Sequence, residues 1–206
     1  MRTHQIFAVG SMSLVMFLGT LQADELSKDE KDAGFISMFN GKDFDGWRFT
    51  GGAVPETVTN WKVENGVIHL TGGGRPNLGT EKAYRDFEMR FQWRALRENY
   101  NSGFYIRSGK DVSKNQINLA KGSEGKFLGR LPGSSAVPDL QMATEEWNDW
   151  QVQVVGDKVI FHCNGKLAWE ATGLTPAAGH IGFQAEGAPL EFRNLRIREI
   201  TQSEKP

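Results

Sequence analysis

The sequence predicts an all-β fold in which antiparallel strands form a sandwich or a barrel. Several stretches alternate apolar and polar residues with a period of two, which is typical of a strand with one buried and one solvent-facing side. Turn-forming residues separate these stretches at intervals of roughly ten residues, as in sandwiches and barrels. The 206 residues include 24 Gly, 13 Phe and 6 Trp, without a long amphipathic helical pattern. This composition favours a sheet protein with many turns.

The alternation is clearest in segment 87–94, where the odd-numbered residues are apolar and the even-numbered ones are polar. The pairs Asn65-Gly66 and Asn164-Gly165 predict tight turns, because Asn-Gly suits the two-residue turns of hairpins. In chain order, the predicted strands cover residues 35–39, 61–70 (a hairpin), 87–94, 103–107, 115–119, 150–154, 159–163, 166–170, 181–186 and 190–200.

The chain length suits one domain with a substantial core, and the sequence shows no internal repeat. We expect this domain to cover residues 35–200. Within it, segment 121–144 has no periodicity and is rich in Gly, Ser and Pro. A segment of this kind predicts a long functional or mobile loop over a binding face. A frayed tail is expected over 201–206.

The first 23 residues have the pattern of a secretory signal peptide. A short positive start is followed by an apolar stretch over 6–21 and by Ala23, a small residue of the kind found at cleavage sites. We expect export to the periplasm or beyond after cleavage near Ala23, a linker over 24–34, and no transmembrane span in the mature chain. The alternative is an uncleaved membrane anchor, which three small or polar residues inside the apolar stretch weaken.

Charge and motif content exclude several classes of function. The chain carries 24 Lys and Arg against 25 Asp and Glu, a formal net charge of −1, so it lacks the basic surface of a nucleic-acid-binding protein. Cys163 is the only cysteine, which excludes an intrachain disulfide and predicts a buried core residue. No phosphate-binding loop, nucleophile elbow or zinc motif is present. A calcium site built from oxygen ligands stays open.

Polar side chains opposite the predicted buried face are the most informative feature. The central strands place guanidinium, amide and carboxylate groups there, and such groups suit the neighbouring hydroxyls of a sugar. The alternative is a solvent-facing sheet exterior held by ion pairs. We expect Trp93 and Trp150 in the core, and Trp47, Trp61 and Trp147 along a groove. The polar set comprises Glu88, Arg90, Gln92, Arg94, Asn101, Tyr105, Arg107, Gln116 and Asn118.

Several blocks together resemble one known family, the 3-keto-disaccharide hydrolases, once labelled a domain of unknown function. The blocks occur in the family order and span nearly the whole expected domain. The resemblance implies a concanavalin A-like sandwich, or jelly roll, of two curved antiparallel sheets, with sugars on the concave face. It also implies exported bacterial proteins that act on glycosides oxidised at C3. The blocks are residues 35–47, 61–66, 86–94, 101–107, 146–148, 164–165, 179–184 and 191–197.

Two positions depart from the family pattern. The strand after residues 101–107 commonly carries Glu before the glutamine that is kept here as Gln116, and this chain has Lys114 instead. Many members have His where this chain has Glu186. A change at a base or a metal ligand would alter or abolish activity.

The implied chemistry predicts roles for single residues. A ketone at C3 acidifies the hydrogen on C2, so a base can remove it, the substituent at C1 can leave, and water can add back. Such a reaction needs a base near C2 and a donor or positive charge at the C3 oxygen. A divalent cation could take the place of the positive side chain; no other cofactor is implied. The predicted bases are Glu88 and Glu186, with Arg107 as the positive group, and the predicted sugar contacts are Asn101, Tyr105, Gln116, Asn118, Gln92 and Trp147.

Two other classes of function fit the same sequence. One is a non-catalytic, lectin-like carbohydrate-binding module on the same fold, because a fold does not confer activity. The other is an exported interaction domain that docks a partner through segment 121–144. The carbohydrate is the expected partner of the first two classes. The sequence leaves the oligomeric state open.

Overall fold

Two antiparallel sheets make up the structure, a computed structural model that describes residues 25–201. The first sheet contains β1 (Ile36–Ser37), β3 (Trp61–Glu64), β4 (Val67–Leu70), β6 (Phe87–Ala95), β10 (Asn148–Val155), β11 (Lys158–Cys163), β12 (Lys166–Ala171) and β14 (Leu190–Glu199). The second sheet contains β2 (Trp47–Thr50), β5 (Asn77–Tyr84), β7 (Gly103–Ser108), β8 (Gln116–Asn118), β9 (Phe127–Leu128) and β13 (Gly179–Phe183).

Strand order determines which side chains meet. The first sheet runs β12-β11-β10-β6-β14-β4-β3, with β1 paired to β14. The second runs β2-β5-β13-β7-β8-β9. Because β13 and β7 are antiparallel neighbours, the start of β7 lies beside the end of β13, and Phe104 pairs with Phe183. Residues just before β7 and just after β13 therefore lie at the same end of the second sheet.

The core lies between the two sheets and is rich in aromatic rings. Alternation places Phe91 and Trp93 of β6 on the inner side, where Phe91 contacts Phe104 of β7 at 4.7 Å between ring centroids and Phe183 of β13 at 5.3 Å. Each buried side chain of this size contributes about 2–3 kcal/mol through removal of apolar surface from water. The outer face of each sheet, turned away from its partner, carries the polar members of the alternation.

A short helix and a turn complete the described chain. Helix α1 (Lys28–Asp32) begins with a capping box in which Ser27 and Glu30 satisfy each other's backbone N–H groups. A 3₁₀ helix covers Pro138–Leu140 inside the segment predicted as a long loop, which also contains β9. No helix among residues 25–201 is long and apolar enough to cross a membrane. The predicted signal peptide and most of the predicted tail lie outside the described residues.

The structure corrects several expectations about single elements. Segment 35–39 forms only the two-residue β1, and the strand predicted over 181–186 is β13, which begins and ends earlier. Trp47 and Trp61 are buried in the core rather than along a groove. Cys163 is buried as expected, and burial raises the pKa of its thiol to about 11, which suits a core residue rather than a nucleophile.

Candidate functional site

The predicted site residues lie on two different faces of the sandwich. Glu88 and Gln92 project from β6 on the outer face of the first sheet. Tyr105, Gln116 and Asn118 project from β7 and β8 on the outer face of the second sheet. Because the inner faces of the two sheets share one core, these outer faces point apart. The polar set predicted to bind a sugar is therefore divided between two separate surfaces.

Glu88 is the centre of an ion-pair network on the first sheet. Its side chain accepts hydrogen bonds from Arg90 at 2.7 Å, from Arg198 at 2.9 Å and from Gln151 at 2.8 Å, and the residue is only 3% exposed. Two guanidinium groups stabilise the ionised carboxylate and occupy both of its oxygens. Both oxygens of Glu88 are therefore held by guanidinium groups, which gives the residue a structural role and leaves neither oxygen free to take a proton from a substrate.

Gln92 is hydrogen-bonded to neighbouring side chains on the same face. Its amide oxygen accepts hydrogen bonds from Arg193 at 2.9 Å and Asn194 at 2.8 Å. The ring of Trp147 lies beneath two guanidinium groups, those of Arg94 at 4.6 Å and Arg193 at 3.9 Å from its centroid. These cation–π contacts use the ring as a partner for arginine, in competition with a sugar that would stack on it. The polar outer face of the first sheet is thus the ion-paired exterior considered as the alternative.

Arg107 is fully buried at the other end of β7 from the polar cluster described below. It donates to Asp86 Oδ1 at 2.9 Å, to the Arg85 carbonyl at 2.6 Å and to the Gly156 carbonyl. Burial lowers the pKa of the guanidinium and the Asp86 carboxylate opposes that shift. The contacts join β7 to the connection between β5 and β6 and to the turn between β10 and β11, so Arg107 links the two sheets and is closed to substrate.

Tyr105 marks the polar cluster on the second sheet. Its buried ring lies near Asn77, and its hydroxyl interacts electrostatically with Arg75, Glu186 and Asp111. Burial raises the pKa of Tyr105 to about 12; Arg75 opposes the rise, and Glu186 adds to it. The hydroxyl therefore stays protonated at neutral pH and can act as a hydrogen-bond donor.

An amide row continues from Tyr105 across the sheet. Gln116 Nε2 donates to Gln184 Oε1 at 3.0 Å and to the Ser102 carbonyl at 3.3 Å. The Gln116 side chain lies directly over Gly103, where an added Cβ would fall inside contact distance of the amide. Asn118 turns instead to Ser123, to which it donates at 2.7 Å. Both amides are buried: Gln116 joins β8 to Gln184 beyond the end of β13, whereas Asn118 supports the loop that carries Ser123.

A cavity of about 370 Å³ opens at the end of the second sheet, beside this row. It brings together two of the predicted residues, Asn101 and Glu186, because Asn101 precedes β7 and Glu186 follows β13. Sequence reasoning missed Arg97 and Lys121, which lie in turns where periodicity gives no signal. The cavity is lined by Arg97, Asn99, Tyr100, Asn101, Lys121, Glu186, Gly187 and Ala188.

Tyr100 forms the back wall of the cavity. Its hydroxyl donates to Glu124 Oε1, and its ring packs edge-on against Trp93 at 5.6 Å between centroids. Burial and the bond to Glu124 raise the pKa of Tyr100. Glu124 is almost fully buried, and its second oxygen has no hydrogen-bond partner within residues 25–201. The wall is therefore rigid and carries a buried carboxylate held by one tyrosine.

The segment between β7 and β8 covers the centre of the second sheet's outer face. Val112 adopts a left-handed backbone with φ of 38°, unusual for a β-branched residue, and is fully buried. It packs over Gly79 and Gly182, where an added Cβ would lie 3.0 Å and 3.1 Å from its Cγ1 atom. Val112 therefore closes the middle of this face to a ligand, whereas the cavity lined by Glu186 opens at the end of the sheet.

No group of three or more His, Cys, Asp and Glu side chains within residues 25–201 is arranged to hold a metal ion. A divalent cation at the site stays a prediction from the sequence. The chemistry open to the described cluster is that of two carboxylates, the partly exposed Glu186 and the exposed Asp111, with a protonated tyrosine, several cations and a row of amides.

The fold defines a concanavalin A-like sandwich of the jelly-roll type. The β-glucanase of Bacillus licheniformis superimposes with a TM-score of 0.56 at 12% identity, over 82% of this chain and 99% of that one. A Parabacteroides distasonis protein, provisionally named as a glycosyl hydrolase, superimposes with a TM-score of 0.69 at 22% identity, over 87% of this chain and all of that one. At these identities the likeness establishes the fold alone.

Sequence similarity establishes the family. The model of the 3-keto-alpha-glucoside-1,2-lyase-like domain matches residues 34–198, and the chain belongs to this family. A protein of Bacteroides thetaiotaomicron named 3-keto-disaccharide hydrolase is 23% identical, over 89% of this chain and 84% of that protein. The resemblance expected from the sequence blocks is thereby confirmed.

Proposed function

We propose that the chain cleaves glycosides oxidised at C3, at the end of the second sheet, with Glu186 as the base. One observation carries this proposal: Glu186 is the only carboxylate in the lining of the cavity, and it also interacts with the protonated Tyr105. Family membership and the name of the Bacteroides relative support the substrate class.

The proposed reaction begins at C2 of the sugar. The carboxylate of Glu186 takes the C2 proton, and the electrons of the C–H bond form an enolate whose charge lies on the C3 oxygen. The enolate then re-forms the ketone and expels the C1 substituent, which takes up a proton from water. The hydroxide left by that water adds to C1 of the resulting double bond, and Glu186, whose acid proton exchanges with solvent, returns a proton to C2, which completes net hydrolysis and regenerates the base. This route needs one base and not the carboxylate pair of ordinary glycosidases.

The neighbours of Glu186 supply the electrostatic stabilisation of the enolate. The Tyr105 hydroxyl donates to the C3 oxygen as charge develops there, and its raised pKa keeps the proton in place at neutral pH. Arg75 adds positive charge at the same point, since it interacts with Tyr105. Asn101 and the Gln116–Gln184 pair offer donors and acceptors to the sugar hydroxyls. Arg107 and Glu88 have no part in this mechanism.

The test is a carboxylate-to-amide exchange at the base. We expect Glu186→Gln to lower kcat/KM on a 3-keto-glucoside by about 10²–10⁴, the usual contribution of a general base. Glu81→Gln, at an exposed carboxylate on β5, is the matched control and should keep the parental rate. Equal rates in the two variants would exclude Glu186 as the base.

Carbohydrate binding without turnover is the second candidate function. The observation that favours it is that Glu88 and Arg107 have structural roles. The site is therefore left with few groups that can accept or donate protons. Tight binding of an unoxidised glycoside, combined with no product from a 3-keto-glycoside, would favour this candidate over the first.

A further inference from the structure

The charge of the cavity is uneven in a way that the proposed reaction does not use. Its lining contains two cations, Arg97 and Lys121, against the single carboxylate of Glu186. Neutral sugars need hydrogen bonds but no net positive charge, so the excess calls for a separate explanation.

Arg97 is held in place without a carboxylate partner. Its Nε donates to the Asn99 carbonyl at 3.1 Å and its Nη2 to the Gly187 carbonyl. Within residues 25–201 Arg97 forms no ion pair, and its Nη1 makes no hydrogen bond. The two carbonyl contacts orient the guanidinium, which leaves a preorganised donor with a full positive charge at the cavity wall.

Lys121 faces the same space from the opposite loop. Its ammonium lies 5.9 Å from the centroid of the Tyr100 ring, which forms the back wall. Its only carboxylate contact within the described chain is with Glu98 at 3.4 Å, and both of these side chains are more than half exposed. Such a surface pair is weak, so Lys121 remains available to an anionic ligand.

The order of the carbon atoms in the sugar ring decides which part of a substrate enters the cavity. C2 lies between C1 and C3, so a sugar with C2 at Glu186 and its C3 oxygen at Tyr105 directs the C1 substituent away from Tyr105. Tyr105 lies two residues inside β7 from Gly103, toward the sheet centre, whereas the cavity lies beyond the end of the sheet. The C1 substituent, which is the leaving group, therefore points into the cavity with Arg97 and Lys121.

We propose that this cavity is the leaving-group subsite and that it selects glycosides whose leaving group carries a carboxylate. The inference rests on the proposed function, because Glu186 and Tyr105 fix the orientation of the sugar. A carboxylate on the leaving group pairs with the free face of the Arg97 guanidinium and with the Lys121 ammonium.

Calorimetric binding of two unoxidised glucosides of equal size tests the subsite. The probes are 4-carboxyphenyl and 4-carbamoylphenyl glucoside, of which only the first is charged at neutral pH. We expect the acid to bind about tenfold more tightly than the amide, because charge-assisted hydrogen bonds at a partly exposed site provide about that difference in affinity. Added salt should reduce the difference, because it screens the charges. Arg97→Gln and Lys121→Gln should each lower the preference. Lys126→Gln, at an exposed lysine outside the cavity lining, should keep it.

Three results would overturn the subsite. The first is equal binding of the two probes, and the second is no binding of either. The third is a preference for a carboxylate on the sugar itself, measured as tighter binding of phenyl glucuronide than of phenyl glucoside. Lys121→Gln guards against misfolding in the Arg97 variant, because the lysine side chain bonds to no backbone group. A binding preference combined with no turnover of any 3-keto-glucoside would instead support the subsite and refute the proposed reaction.

Discussion

Gly103→Ala tests the packing that shapes the amide row of the candidate site. The Gln116 side chain crosses β7 at Gly103, so a methyl group there must displace the amide from Gln184 and from the Ser102 carbonyl. Overpacking costs about 1–3 kcal/mol, and two lost hydrogen bonds cost about 0.5–1.5 kcal/mol each. The free energy of unfolding should therefore fall by about 2–6 kcal/mol.

The double variant Gly103→Ala/Gln116→Ala separates this cause from a general effect of alanine in the strand. Gln116→Ala alone loses the same two hydrogen bonds and should cost about 1–3 kcal/mol. Once the amide is gone, the new methyl group meets no obstacle, so the double variant should be as stable as Gln116→Ala. Urea titration of the four proteins gives the coupling energy. Additive costs would refute the close approach of Gln116 to Gly103.

Three further predictions concern buried polar groups. The pKa of Tyr105 is raised to about 12, so between pH 10 and 12 the unfolded chain loses this proton before the folded chain does. The contribution of Tyr105 to the free energy of unfolding is therefore complete below pH 10 and falls by about 2–3 kcal/mol toward pH 12. A Tyr105→Phe variant should lose less stability over that range in urea titrations. Tyr100→Phe leaves the buried Glu124 without its partner and should cost about 1–3 kcal/mol by the same assay, whereas an unchanged midpoint would exclude that bond. Glu88→Gln should lower the free energy of unfolding by about 1–3 kcal/mol, because two partly exposed arginines lose their carboxylate partner. The kcat/KM on a 3-keto-glucoside should stay at the parental value. A large loss of turnover would instead indicate that Glu88 is catalytic.

Alternation in the sequence predicted the strands of the first sheet well and both edges of the second sheet poorly, since β2 and β5 at one edge and β9 at the other were not predicted. Strand β6 alternates strictly over its length, since its outer side faces solvent and ion pairs. Strand β5 was missed because its first four residues are all buried, with Val112 covering one side and the core the other. Strand β2 was missed because its four residues are too short a stretch to show a period.

The limits of alternation as a signal also explain why the candidate site was predicted only in part. Alternation tells which residues of a strand share a side, but it does not tell which sheet the strand joins. Glu88 and Tyr105 both face outward, yet they lie on opposite faces of the sandwich. Arg107 also alternates as an outward residue, and only the turn that carries Asp86 shows that it is enclosed. Asn101 and Glu186 line one cavity because the residues before β7 and after β13 meet at the same end of the sheet, which alternation within a strand does not show.

The most direct test of the proposed reaction is the exchange of the C2 hydrogen of a 3-keto-glucoside in deuterated water, followed by NMR. The wild-type protein should introduce deuterium at C2 as product forms, and Glu186→Gln should lose both exchange and turnover while Glu81→Gln keeps them. Product that forms without deuterium at C2, or exchange that persists in Glu186→Gln, would contradict proton removal by this carboxylate.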